Sequence, residues 1–253
     1  REPHCEWTVS IDPAAEEVTE PEITRVMSRT RLANIVIPRP KSTQSGGMDY
    51  YDGSVFEQLQ LEQLSHAALV VVCSELAVQV HLLVVGLMYA VAERYGEAAA
   101  MTVAEFQMAG SGWVVSERLK IWLGCDGEGI DDVISVLQVH PAFQPSEYWS
   151  IQLTRLDDTR ALFELLDCPA SAEDLPYGWH ALLARGMTGG LEGIVKGVDV
   201  RAQVVASEKS SLAWEIIIDG TDAFSEEMLS VQIAKGTVLY QTKLQDHIQL
   251  LQL

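Results

Sequence analysis

The sequence predicts an α+β fold, with an N-terminal helical bundle packed on a mainly antiparallel C-terminal β-sheet. Three observations predict it. Apolar residues follow helical spacing from about 54 to 141, and beyond Pro145 they alternate with polar ones. Hydrophobic residues make up 48% of the 253-residue chain, enough for one sizeable core. The chain accordingly divides into an extended arm, 1–53, and a single α+β domain, 54–253, helical over 54–141 and strand-rich over 146–240.

Pro3, Pro13, Pro21, Pro38 and Pro40 break up the arm, which holds one β-like run over 32–37 and a Gly- and Ser-containing loop over 42–53. A long helix is expected from about Val55 to Tyr95, stopped by Gly96. On a helical wheel His66, Val70, Cys73, Ala77 and His81 form one stripe; Glu75, Leu82, Gly86 and Glu93, with Gln79 beside them, form the opposite one. Apolar residues fill nearly everything between, which is the pattern of a central helix covered on all sides. Thr102 and Glu105 read as a capping box opening the next helix, which ends at Leu123 before Gly124. Asp131 caps a third helix, ended by Pro141. Ile151 and Leu153 begin a hairpin that turns at Asp157-Asp158-Thr159 and returns through Ala161, Phe163 and Leu165. A helical segment over 177–198, broken around Gly186 to Gly190, leads to a second hairpin, 200–206 and 212–219. A further strand over 231–240 and an amphipathic tail with Leu244, Ile248 and Leu251 complete the reading.

The formal net charge is −19 and the pI about 4.5. Such a surface repels phosphate backbones and anionic headgroups, so neither nucleic acid nor a membrane is expected as a partner. The stretch 76–92 has the composition of a membrane span but lies at the short end of the required length. It contains Gln79 and His81, is bounded by Glu75 and Glu93, and lacks a flanking basic cluster, so a buried core helix is the expectation. No charged and then apolar leader pattern opens the sequence given. Cys5, Cys73, Cys125 and Cys168 are widely and irregularly spaced, without a CxxC, which points to a reduced, cytoplasmic protein with no zinc site. The apolar helical half, the proline-broken arm and the apolar tail suggest a homodimer, with exchanged arms as one way to build it.

Three features recur in a recognisable order: the strand end Leu165-Leu166-Asp167-Cys168-Pro169, a helix with Trp179 and Leu182-Leu183, and a hairpin with Ala213-Trp214-Glu215. Preceded by a helical bundle, this order resembles the bacterial group related to L-2-amino-thiazoline-4-carboxylic acid hydrolases. That group is itself similar in architecture to the small-molecule-sensing domains named after vinyl reductase. The stretch from Ser65-His66 to Gln79-Val80-His81-Leu82-Leu83 also resembles uncharacterised actinobacterial proteins. The likeness spans about 55–220. It implies a fold and a broad ligand class, with hydrolysis as the associated reaction, and assigns no residue a role.

The sequence has no G-x-S-x-G elbow, Walker A motif, G-x-G-x-x-G fingerprint or H-E-x-x-H. The Gly-rich acidic run 123–129 does not fit an EF-hand and reads as a loop. His66 and His81 are about 22 Å apart along their helix, too far to share a metal. Neither metal nor cofactor is expected. The candidate catalytic residues are Glu75, His81, Cys168 and His180. Glu75 in an apolar helix requires either a structural partner such as Arg118 or a raised pKa suited to proton transfer. His81 is either a hydrogen-bonded core histidine or a second acid or base. Cys168 is either a structural strand-end thiol or a nucleophile served by His180, twelve residues on. Gln79, Ser111 and Trp113 are the candidate substrate-binding residues, with Gly110 and Gly112 either packing helices closely or leaving room for a ligand. Of Trp113, Trp122, Trp149, Trp179 and Trp214, one or two could line an apolar pocket and the rest are core.

Three functions fit this pattern: a cofactor-independent acid–base enzyme (hydrolase, cyclase or isomerase) acting on a largely apolar small molecule, a non-catalytic ligand-binding or sensor module, and a dimeric interaction scaffold. Converging titratable groups in a pocket favour the first, a sealed apolar cavity the second, and a broad exposed apolar face the third.

Overall fold

The computed structural model describes residues 19–41, 44–51, 53, 59–173 and 175–219. Among these, six helices precede or interleave with one four-stranded antiparallel sheet, an α+β architecture. The strand expected over 231–240 and the amphipathic tail lie outside the described residues.

Helix α1 (Glu22–Ser28) sits within the segment read as an arm and lays Ile23 and Met27 against Gly86. The β-like run beyond it is a 3-10 turn, Leu32–Asn34, followed by extended chain, which corrects the strand expected over 32–37. The cause is a side-chain anchor. Glu173 accepts the backbone N–H of Arg31 and of Leu32, both at 3.1 Å, and so occupies donors that a strand would give to a neighbour. Leu32 is buried as a result.

Helix α2 (His66–Tyr95) starts ten residues later than expected, at Ser65, whose hydroxyl accepts from the N–H of Ala68. Only one of its faces is buried, by Ala67, Ala77, Val78, His81, Val84, Val85 and Met88. The expectation of a central helix covered all round is therefore corrected: Leu76, Val80, Leu83 and Leu87 are exposed. Helix α3 (Glu97–Leu123) follows directly after Gly96 and stops at Gly124, which takes a left-handed conformation. Thr102 lies inside α3 with its hydroxyl on the Ala98 carbonyl, so the expected T-x-x-E capping box does not form. The apolar run 98–101 propagates helix upstream of it. Helix α4 (Ile130–Val139) begins at Gly129 and ends before Pro141. Asp132, not Asp131, serves its start, accepting the N–H groups of Gly127 and Glu128.

Strands β1 (Ile151–Arg155) and β2 (Arg160–Leu165) form the first hairpin, with Leu153 opposite Phe163. Helices α5 (Trp179–Ala184) and α6 (Gly189–Lys196) lead to β3 (Ala202–Ala206) and β4 (Ala213–Ile218). The sheet order is β1-β2-β4-β3, so β4 pairs with β2 and places Trp214 opposite Phe163. One sheet face carries Ala161, Phe163, Trp214 and Ile216 into the core beneath the helices. The other carries the ion pairs Lys209–Glu164 and Arg160–Glu215.

Candidate functional site

The polar residues of α2 divide by face. Glu75 and Gln79 lie on the exposed side. The expectation of a buried Glu75 is therefore corrected, and Arg118, its expected structural partner, is exposed as well. His81, by contrast, is 4% exposed and points into the junction of helices and sheet.

Two segments meet His81 there, and a third meets Tyr148 beside it. The chain after α4 supplies Gln144, Tyr148 and Trp149, with a cis peptide bond between Gln144 and Pro145. The start of α5 supplies Trp179 and His180. The 168–173 turn supplies Cys168 and Glu173. The His81 ring lies 5.8 Å from that of Tyr148, 5.9 Å from that of Trp149 and 5.2 Å, edge-on, from that of Trp179. His81 Nε2 is 2.9 Å from the Gln144 carbonyl and 3.2 Å from Trp149 Nε1. It can donate to the carbonyl or accept the indole N–H, not both, so the tautomer decides which partner is satisfied. Burial pulls the His81 pKa down to about 4, against the pull of the Gln144 hydrogen bond and with a smaller push from His180. His81 is therefore neutral at pH 7.

His180 is 5% exposed, and burial lowers its pKa too, opposed by Glu173 and by a hydrogen bond to the Leu175 backbone. Its Nε2 is buried and has no hydrogen-bond partner among the described residues. The bond to the Leu175 backbone therefore belongs to Nδ1, and Nε2 carries the lone pair in the neutral ring. Gly178 abuts the ring: a Cβ there would come within 2.9 Å of Nδ1 and Cε1. Tyr148 has its pKa raised by burial and then by Glu173, toward which its hydroxyl donates at 3.4 Å. Glu173 thus ties the 31–32 backbone to Tyr148 and places a negative charge near His180.

The structure brings His81 and His180 together, sets Cys168 at the edge of the same cluster, and leaves Glu75, Gln79, Ser111 and Trp113 outside it. Cys168 is buried beside Tyr148, with its N–H on Ser171 Oγ at 3.0 Å; the charged neighbour of His180 is Glu173. Ser111 is exposed and its hydroxyl donates to the Gln107 carbonyl at 2.7 Å. Trp113 is buried, and its indole donates to Glu117 one turn on. Gly112 makes room for a neighbouring side chain instead of a ligand, since a Cβ there would strike Ile194 of α6. Trp149 and Trp179 are the two tryptophans at the junction. Tyr148, Glu173 and the capping histidine His140 were not singled out from the sequence. His140 accepts from the Ala142 N–H and lies 3.3 Å from the Gly112 carbonyl, and burial pulls its pKa down to about 4.

Two other places read as structural. A polar cleft of about 340 Å³ at the start of α2 is lined by Arg39, Asp49 and Ser65, but Arg39 is already engaged by Asp49 at 2.7 Å and lies over the Tyr50 ring. The Gly-rich loop before α4 is clasped by Asp132 and by Asp199, which accepts from the Gly129 N–H at 2.9 Å. Burial raises the Asp199 pKa, but Arg201 and the backbone donors outweigh it and hold the carboxyl below its usual range. Among the described residues no group of three His, Cys, Asp or Glu side chains could hold a metal ion.

Comparison with known proteins returns no match to a family model, a curated protein or a solved structure. Any functional reading therefore starts from the geometry.

Proposed function

We propose that the chain is a small-molecule-binding module whose ligand is held at the helix–sheet junction by His180. The observation that carries this reading is the buried Nε2 of His180, which has no partner among the described residues and lies near His81 and the aromatic rings packed on it. An unsatisfied buried acceptor costs about 1–3 kcal/mol, which a ligand hydrogen-bond donor would recover. The lone pair selects a hydroxyl, an amide N–H or a protonated acid, and the rings packed on the neighbouring His81 favour an apolar body. This agrees with the small-molecule-sensing class implied by the sequence resemblance. An acid–base enzyme ranks below it. Glu75 is at the surface, and a histidine with a pKa near 4, such as His81, is a weak base at neutral pH.

Native mass spectrometry of the protein purified from cells tests the reading, with His180→Leu as the comparison. The expected result is a non-covalent small-molecule adduct on the wild-type chain that is lost in the variant. A bare wild-type chain, together with a His180→Leu variant that melts higher, would identify the imidazole as a packing element and overturn the reading.

A further inference from the structure

The exposed side of α2 carries Cys73, Leu76, Val80, Leu83, Leu87 and Ala90. Their spacing is 3, 4, 3, 4, 3, the a/d repeat of a helix that packs along its length against another helix. Leu83 is 68% exposed and Leu76 54%. No Asp, Glu, Lys or Arg interrupts α2 between Glu75 and Glu93. By length and composition α2 could cross a membrane, yet its other face is committed to the core through His81, Val84, Val85 and Met88. On α3, which turns back along α2, Val103 and Phe106 are exposed too.

We propose that this strip is a homodimer interface, in which α2 pairs antiparallel with α2 of a second copy of the chain about a two-fold axis between Val80 and Leu83. Three arguments select that occupant. The first is the pattern: the spacing reads the same in both directions, so the axis sets Val80 against Leu83, Leu76 against Leu87 and Cys73 against Ala90, each pair occurring twice. The second is area. The exposed parts of Leu76, Val80, Leu83, Leu87, Val103 and Phe106 amount to roughly 550 Å² of apolar surface, so two copies would bury on the order of 1,100 Å², close to the lower bound for a stable dimer.

The third is charge. At a net charge of −19 two copies repel, and an uncharged strip is where they can approach. The antiparallel arrangement keeps the two Glu75 carboxylates about 20 Å apart along the axis and brings nearest to each the Glu93–Arg94 pair of the other copy, which carries no net charge, whereas a parallel one sets both Glu75 residues at the same level. The same charge disfavours an anionic bilayer, and Arg94, paired in sequence with Glu93, is the one Lys or Arg residue of α2, short of the Lys and Arg cluster with which a surface-lying helix engages lipid. The strip is built from exposed residues of α2 whereas His81 belongs to its buried face, so the interface is independent of the ligand reading.

Analytical ultracentrifugation and disulfide trapping on the full chain test this together. In a Cys5→Ser, Cys125→Ser background, Ala90→Cys should cross-link quantitatively to Cys73 of the second copy on mild oxidation. Cys73 alone should not, because its symmetry mate lies about 25 Å away. Leu83→Glu, at a site too exposed to matter to the fold, should weaken the dimer at least a hundredfold with an unchanged circular dichroism spectrum, and added salt should not dissociate the wild type. A wild-type monomer at high micromolar concentration overturns the proposal, whether the strip is then found on neutral or anionic vesicles or under another part of the chain. Cross-linking through Cys73 alone, or a dimer indifferent to Leu83→Glu, overturns it equally.

Discussion

At the scale of single residues, the molecule keeps three histidines neutral in its core. Burial lowers the pKa of His81 and His140 to about 4 and also lowers that of His180. Around His81 and His180 stand Glu173, Tyr148 and Cys168, and around His140 the Gly112 carbonyl and Phe143. A folded-state pKa below the unfolded value near 6.5 means that the unfolded chain binds the extra proton first as pH falls. The stability tied to His81 and His140 is therefore fully present above about pH 6.5 and is lost as pH falls toward 4, at up to about 1.4 kcal/mol per pH unit for each, and His180 acts in the same direction. Thermal melting followed from pH 7 to 4 should show Tm falling across that window, and His140→Asn should flatten part of the slope. A Tm constant down to pH 4 would mean that these rings titrate normally. Asp157 acts in a lower window: the Thr159 N–H and Arg160 hold its pKa at about 2, so its contribution is lost only as pH falls below the usual carboxylate range. The sequence marked His81 and His180 as candidates, because polar residues in apolar segments are conspicuous. It could not show which were buried. Glu75 and His81 look alike in a list of residues, and the six-residue offset that puts them on different faces matters only once the covered face is known.

At the scale of elements, most boundaries were legible where a local stop signal exists. Gly96, Gly124 and Pro141 delimit the helices, and the alternation around Asp157-Asp158-Thr159 gives the first hairpin. The misreadings come from non-local causes. The 32–37 run looks extended, yet Glu173, distant in sequence, captures its N–H groups. The Thr102–Glu105 box has the right residues, but the helix already runs past it from Glu97. The glycines of α3 show how far a neighbour decides the meaning of one residue type. A Cβ on Gly193 of α6 would come within 2.6 Å of the Ala109 backbone in α3, whereas one on Gly110 of α3 meets nothing within 4 Å. Gly193→Ala should accordingly destabilise the protein by about 1–3 kcal/mol through overpacking. Gly110→Ala should stabilise it by up to about 1 kcal/mol through helix propensity. Urea denaturation of the two variants reads both, and equal effects of the same sign would show that α3 and α6 are not packed this closely.

At the scale of the whole molecule, α2 joins two surfaces of different character. Its inner face closes the histidine–aromatic junction against the sheet, and its outer face carries an apolar strip along the bundle. An all-apolar helix reads in sequence as a buried one, and the sequence contains nothing that distinguishes cover by the same chain from cover by a second copy. The antiparallel sheet beneath was legible because each hairpin announces its own pairing; the placing of β4 beside β2 was not, since it depends on α5 and α6 crossing between the hairpins. The account centres on the junction as a ligand site. It is tested most directly by electron density next to His180 in a crystal of the protein purified without added ligand. The account predicts a non-protein atom about 2.7–3.2 Å from Nε2. A protein donor turned onto Nε2, or an imidazole packed dry against side chains with no such atom, would contradict it.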